Sequence, residues 1–340
     1  MLTKQDNLVD FLGQEGVRFT IPVYQRAYAW TKRQCKELLD DIMRAGQIDT
    51  KHFLSMILFL EAEADEEGVL SLDIIDGQQR IATSTVMLCA LADCLRKRDE
   101  KVCGLGAQEL TERFLLAGKK APTCKIALLG VDGATLEALV LGRELPAKTS
   151  ARIMDNYRYF QEAMGADDFD LEQFWRGVEQ LVVIDAELDK NDKAQAIFEG
   201  LNTKGLPLTT ADLVRNYLLV AQESEEQERL YEEYWNPIEL MFGEDKGSLK
   251  LNAGIRMWLS IRFRKMRIHD KSQTYNAFKA YMTQEYDGTT EELLDELRSF
   301  CLMWAENYKF NEVKEFRCMD WAKKGQNKTL LPGWGHQSGF

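Results

Sequence analysis

Leu70, Leu72 and Ile74 alternate with Ser71 and Asp73, the period of two that marks a strand with one buried face. After Asp76 the period changes. Ile81, Thr85, Leu88, Ala92 and Leu95 recur at helical spacing, and Arg96, Lys97 and Arg98 place positive charge where a helix C-terminus favours it. The pattern predicts a strand ending at Asp76 and a largely buried helix over 77–98, with Asp76, Gly77, Gln78, Gln79 and Arg80 on the turn between them. HFLSMILFL (52–60) is an apolar run of strand length, and the acidic EAEADEEG joins it to the strand ending at Asp76, so the two strands are expected to pair. Before them, TKRQCKELLDDIMRAGQ sets Cys35, Leu38, Leu39, Ile42 and Met43 on one helical face, and Thr31 with Gln34 reads as a capping box.

The remaining pattern completes an α+β layout. An amphipathic helix is expected over about 3–14. Residues 104–178 read as helices broken by loops at KKAPTC and VDGATL, and QLVVIDAEL (180–188) is a strand expected to return to the first sheet. Beyond 190 the period is helical: Ala194, Ile197, Phe198 and Leu201 share a face, NTKGLP is a turn, and TTADLVRNYLLVAQ is capped by Thr209 and Asp212. KKGQNKTLLPGWGHQSGF has no periodicity. The expected domains are 1–205, with a helical insertion at about 104–178, then a helical domain over 206–325 and a loop or tail over 326–340.

With 340 residues, 45% hydrophobic and 29% charged, the chain has material for two cores. Its seven Cys (35, 89, 94, 103, 124, 301, 318) form no CxxC pair, which argues against a zinc ribbon or a disulfide framework and suits a cytoplasmic protein. No run approaches the ~18 apolar residues of a membrane span. The net charge of −12 excludes a general nucleic-acid clamp, because such affinity comes from Lys and Arg displacing counterions. Any DNA contact must be local. RMWLSIRFRKMRIHDK is the candidate, with Arg256, Arg262, Arg264, Lys265, Arg267 and Lys271 around Trp258 and Phe263; such a pattern is more often an amphipathic helix with an apolar core side and a wet basic side.

The strand-to-helix turn at 76–80 is where α/β proteins hold anions, since the first helical N–H groups lack intrahelical partners and carry the positive end of the dipole. The plain alternative makes Asp76 an N-cap and the next residues a solvated first turn. IPVYQRAYAW adds a companion. Pro22 forces an extended backbone before it, displaying Gln25 and Arg26 on a short segment beside Tyr24, Tyr28 and Trp30. An Arg fork suits phosphate and an aromatic ring can stack on a base, although Trp30 reads as readily as a core aromatic.

IPVYQRAYAW followed by IDGQQRIAT resembles the N-terminal NTPase domain of the GmrSD-type modification-dependent restriction endonucleases, whose core is similar to the ParB and sulfiredoxin fold. FEGLNTKGLPLTTADLVRN agrees, with Phe198, Asn202, Gly205, Leu208, Asp212 and Asn216 on the family's F-x-x-x-N-x-x-G-x-x-L-x-x-x-D-x-x-x-N signature. The resemblance implies a small mixed sheet with helices, binding and hydrolysing a nucleoside triphosphate with magnesium and coupling this to restriction of modified DNA. It implies Tyr24, Gln25, Arg26, Gly77, Gln78, Arg80 and Thr83 as nucleotide-binding, and Asp76 with Gln79 as catalytic. Asp76 is then the residue that holds magnesium or orients water. Asn202, Asp212 and Asn216 would line the cleft, with Asp212 equally readable as a cap. The alternative is a ParB-like switch that binds nucleotide without turnover and recruits a nuclease.

Two departures matter. Ser55 stands where relatives usually carry Gly. Relatives commonly continue into an HNH nuclease, and His52, His269 and His336 are too scattered to form such a site. The chain is therefore expected to cut DNA only with a separate HNH partner, and an oligomer is compatible with either reading.

Overall fold

The computed structural model describes residues 2–118, 120–189, 208–242, 247–266, 268 and 271–310. It divides into two units, Met1–Tyr231 and Glu232–Phe340. Among the described residues no helix is long and apolar enough to cross a membrane.

The first unit is mixed α+β. Its six-stranded sheet comprises β1 (Leu2–Asn7), β2 (Val17–Thr20), β3 (His52–Ala64), β4 (Leu70–Asp76), β7 (Ile126–Ala127) and β8 (Leu181–Glu187) in the order β1-β8-β3-β4-β2-β7. β3 and β4 pair antiparallel, as expected of strands joined by a short turn, and β8 returns to the sheet parallel to β3. One face of this sheet carries Phe19, Ile57, Phe59, Leu72, Ile74 and Ile126 into the core. Helix α3 (Gln78–Arg98) lies in the same core and is buried through nearly its whole length from Gln78 to Leu95, which explains its apolar character on all sides. Helix α2 (Lys32–Ile48) contributes Cys35, Leu38, Leu39 and Ile42, and begins with the expected Thr31/Gln34 capping box.

The N-terminus departs from expectation. Residues 2–7 form an edge strand, followed by a short helix α1 (Leu8–Leu12), in place of one helix over 3–14. LTKQDN buries little; it is extended because Leu2 to Asn7 pair antiparallel with Glu187 to Val182, satisfying backbone groups along β8. The insertion also differs. After the short helix α4 (Ala107–Leu110) and an adjoining turn of π-helix, KKAPTC contributes strand β6 (Thr123–Cys124), paired with β5 (Leu116–Ala117), and β7 follows at once. VDGATL lies inside helix α5 (Gly130–Val140). There a Cβ on Gly133 would stand 2.1 Å from Leu128 O, so this glycine serves close packing and does not break the helix. Helices α6 (Ala151–Gly165) and α7 (Leu171–Glu179) complete the insertion, and α7 leads into β8.

Helix α8 (Thr210–Leu219) opens with the expected Thr209/Asp212 capping box and, with α9 (Ser224–Leu230), belongs to the first unit. The expected helix around Ala194 to Leu201, including Asn202, lies outside the described residues. The second unit is helical: α10 (Asn236–Phe242), α11 (Gly247–Arg262), α12 (Lys271–Gln284) and α13 (Thr290–Phe310). Leu251, Ile255, Trp258, Leu259, Phe278, Leu294 and Leu297 are among its buried residues. The expected tail over 326–340 lies outside the described residues.

Candidate phosphate-binding turn

β4 delivers Asp76 to the sheet end, and Gly77 turns the chain into α3 at φ 99°. A side chain there would meet β3: a Cβ would be 3.2 Å from Ile57 Cγ1 and 3.3 Å from both Ile57 Cα and Met56 O. The helix start consequently has no side-chain cap. Arg80 and Ile81 donate their backbone N–H groups to Gly77 O.

Residues 21–31 have no regular secondary structure and are held by the turn's glutamines. Gln25, 3% exposed, donates from Nε2 to Ile75 O at 2.8 Å and accepts from Gln78 Nε2 at 3.0 Å. Gln79 accepts from the Ala29 N–H at 2.8 Å and donates to Ala27 O at 3.2 Å. Thr83 donates to Gln79 O at 2.7 Å and is hydrogen-bonded to Tyr28 Oη. These contacts hold the segment that carries Arg26, whose charge, like that of Arg80, acts on Asp76. The turn therefore brings together Tyr24, Gln25, Arg26, Asp76, Gly77, Gln78, Gln79, Arg80 and Thr83, but in two classes. The glutamines and Thr83 are buried and bonded to the chain itself. Tyr24 is also buried, its phenol pushed up by burial and its carbonyl accepting from Arg215 Nε at 3.1 Å.

Arg26, Asp76 and Arg80 remain. Among the described residues Arg26 Nε is buried with no hydrogen-bond partner. Burial lowers both guanidinium pKa values, and the nearby Asp76 charge opposes this in each; Asp212 opposes it for Arg26 as well. Burial raises the Asp76 carboxyl, against the lowering effects of the Gly77 N–H, Arg80 and Arg26. The Arg80 guanidinium lies 6.0 Å from the Trp30 ring centre, so Trp30 packs partly against the core and partly under this cation. Two cations, one with an unpartnered buried donor, beside one carboxylate and an uncapped helix start are groups of the chemistry that suits an anion.

Helix α8 contributes a further wall. Asp212 is engaged as the cap and pairs with buried Arg215 at 3.2 Å. Asn216, one turn on, is 2% exposed and its Nδ2 has no partner among the described residues. Asn202 lies outside them. Arg215, Asp132 and Asn156 support this region without a sequence motif that marks them; an arginine amid the apolar residues of α8 is the single hint. Among the described residues no group of three His, Cys, Asp or Glu could hold a metal, and Asp76 is the carboxylate that faces the turn. A surface groove of about 570 Å³ lies elsewhere, lined by Lys4, Asp6, Asp10, Glu61, Asp185 and Glu187 among others; its acidic rim does not suit phosphate.

In the second unit the basic helix is divided by packing. Trp258 and Phe263 are buried, so neither ring is available for base stacking. Trp258 Nε1 and Arg262 Nε both donate to Glu296, and Lys265 pairs with Glu285 at 2.8 Å. Arg256 is half-buried and Arg264 exposed, while Arg267 and the Lys271 side chain lie outside the described residues. His52 stands 3.6 Å from Asp41, and His269 and His336 lie outside the described residues.

No curated protein matches the chain. The model of the GmrSD restriction endonuclease N-terminal domain matches residues 8–219, the span from α1 to the end of α8 that holds the turn, the segment pinned to it and the helix beside it. The chain belongs to the GmrSD restriction endonuclease N-terminal domain family.

Proposed function

We propose that this chain is the nucleoside-triphosphate-binding and hydrolysing component of a modification-dependent DNA restriction system. The observation that carries the reading is the pair Arg26 and Arg80, both with depressed pKa values, flanking Asp76 at an uncapped helix start. Arg26 and Arg80 hold the triphosphate oxygens, and Gly77 lets them approach the backbone of the first turn. Asp76 would hold magnesium, for which one carboxylate suffices when phosphates and water supply the other oxygens. Magnesium there would neutralise phosphate charge during transfer. Gln79 acts by positioning, since both ends of its amide are bound to the backbone of residues 27 and 29. Gln25, Gln78 and Thr83 hold the segment in place, and Asn216 offers a donor from α8.

Calorimetric titration with magnesium-ATP and magnesium-GTP tests this. Arg80→Ala should weaken binding by about 1.5–3 kcal/mol, a charge-assisted contact. Unchanged affinity in a folded variant overturns the assignment. Asp76→Ala should abolish phosphate release. The engaged Gln79 amide favours a second reading, a nucleotide switch without turnover, because Gln79 is held to the backbone at both its oxygen and its nitrogen and is not poised to orient water. Binding without phosphate release, even with DNA present, selects the switch. DNA contact falls to Arg256 and Arg264, and cleavage of modified DNA to a separate HNH partner; nicking by the purified chain alone that is lost in Asp76→Ala would contradict this division.

A further inference from the structure

Three hydrogen bonds tie the insertion to the segment that carries Arg26 and Trp30. Asp132 in α5 accepts from the Tyr28 backbone N–H at 2.8 Å. Asn156 in α6, 1% exposed, donates its two side-chain hydrogens to Tyr28 Oη and Trp30 O, each at 2.9 Å. Counting hydrogens then orders the network. Thr83 has one hydroxyl hydrogen and donates it to Gln79 O, so Tyr28 must be the donor in its 2.7 Å bond with Thr83 Oγ1. Burial pushes the Tyr28 phenol up, which keeps that hydrogen in place. The network runs in one direction, from Asn156 through Tyr28 and Thr83 to the Gln79 carbonyl in the first turn of α3. The Gln79 side chain closes it into a ring through Ala27 O and the Ala29 N–H.

We propose that Asp132 and Asn156 are positioning residues through which the α5–α6 insertion sets the spacing of Arg26 and Arg80 about Asp76. The ligand in this proposal rests on the nucleotide reading above; the clamp does not. Residues 21–31 have no regular secondary structure of their own, and Arg26 and Arg80 are half-buried cations that both act on the one Asp76 carboxylate. Both stay directed at Asp76 before a polyanion arrives only if the backbone of residues 26–30 is held against the first turn of α3. Tyr28 and Trp30 are gripped from the insertion on one side and from α3 on the other. Release of the insertion's grip frees Trp30 beneath Arg80, and a ligand must then supply the ordering.

The test uses the whole chain and two readouts. Asn156→Ala and Asp132→Ala remove the grip, and Asp132→Asn keeps an acceptor. Asp170→Ala is the control: it removes the N-cap of α7, which accepts from the Gln173 N–H at 2.9 Å, and so destabilises without touching residues 27–30. Without ligand, amide hydrogen exchange over residues 27–31 should quicken at least tenfold in the two alanine variants of the grip and remain as in wild type in Asp132→Asn and Asp170→Ala. The dissociation constant for magnesium nucleotide should rise at least tenfold in the same two variants alone. Exchange that is unchanged, or equally quickened in Asp170→Ala, overturns the clamp. Quickened exchange with unaltered affinity overturns positioning. A wild type that binds no nucleotide refutes the nucleotide reading, and the ligand-free exchange then decides the clamp by itself.

Discussion

Replacing Gly77 by Ala strikes the hinge between β4 and the turn, and its cost follows from two separable terms. The backbone there is left-handed, with φ 99°, a conformation that costs an L-residue about 1–2 kcal/mol. The added methyl would also stand 3.2 Å from Ile57 Cγ1 and 3.3 Å from Ile57 Cα and Met56 O. Favourable carbon contacts lie near ~3.5–4.0 Å, so each neighbour must give way by a few tenths of an ångström. The Ile57 side chain can turn, but the other two atoms are backbone of β3, which is paired with β4 on one side and β8 on the other. Overpacking of this kind costs about 1–3 kcal/mol, and the two terms together give about 2–5 kcal/mol. Urea unfolding, followed by both circular dichroism and tryptophan fluorescence because the chain has two units, measures the loss. Gly77→Asn separates the terms: its Cβ meets the same atoms, but Asn tolerates left-handed backbone, so it should recover roughly 0.5–1 kcal/mol. A loss below ~0.5 kcal/mol for Gly77→Ala, or an Asn variant worse than Ala, refutes the reasoning.

Two buried ionisable groups give pH predictions of opposite slope. The Asp76 carboxyl is raised by burial, so the folded chain holds its proton more tightly than the unfolded one; its contribution is greatest below the unfolded pKa and is lost as pH rises through the folded value. Thermal melts of wild type and Asp76→Asn from pH ~4 upward should show the wild type falling relative to the variant, and parallel curves would contradict the assigned burial. Burial pushes the Lys125 amine down to about 8, and its hydrogen bond goes to Arg113 O at 3.0 Å. The folded state thus carries an ammonium penalty below that value, relieved as pH rises from about 8 toward the unfolded value near ~10.4. Lys125→Met should melt above wild type at neutral pH, with an advantage that shrinks by pH ~10; a constant advantage would mean that the amine is solvated.

Features set by neighbours in sequence are legible in the sequence. The strand over 70–76, the helix over 78–98 and both capping boxes depend on periods and caps that span a few residues, and each appears where the pattern puts it. The site residues are legible as types for the same reason: Arg, Asp and Gly on one turn are read directly. Long-range pairing decides the rest. LTKQDN is a strand only because residues 182–187 offer it an edge, and no pattern within the six residues carries that information. Trp258 and Arg262 look like a nucleic-acid face until Glu296, on another helix, takes a hydrogen bond from each. Gln79 looks like a ligand group until the Ala29 N–H and the Ala27 carbonyl take its oxygen and its nitrogen, and Gln78 until its Nε2 is given to Gln25. Composition can place a donor on a turn, but whether that donor is spent or free depends on which distant backbone packs against it. Burial is what leaves Arg26 Nε without a partner and lifts the Asp76 carboxyl, and burial is a property of the assembled core.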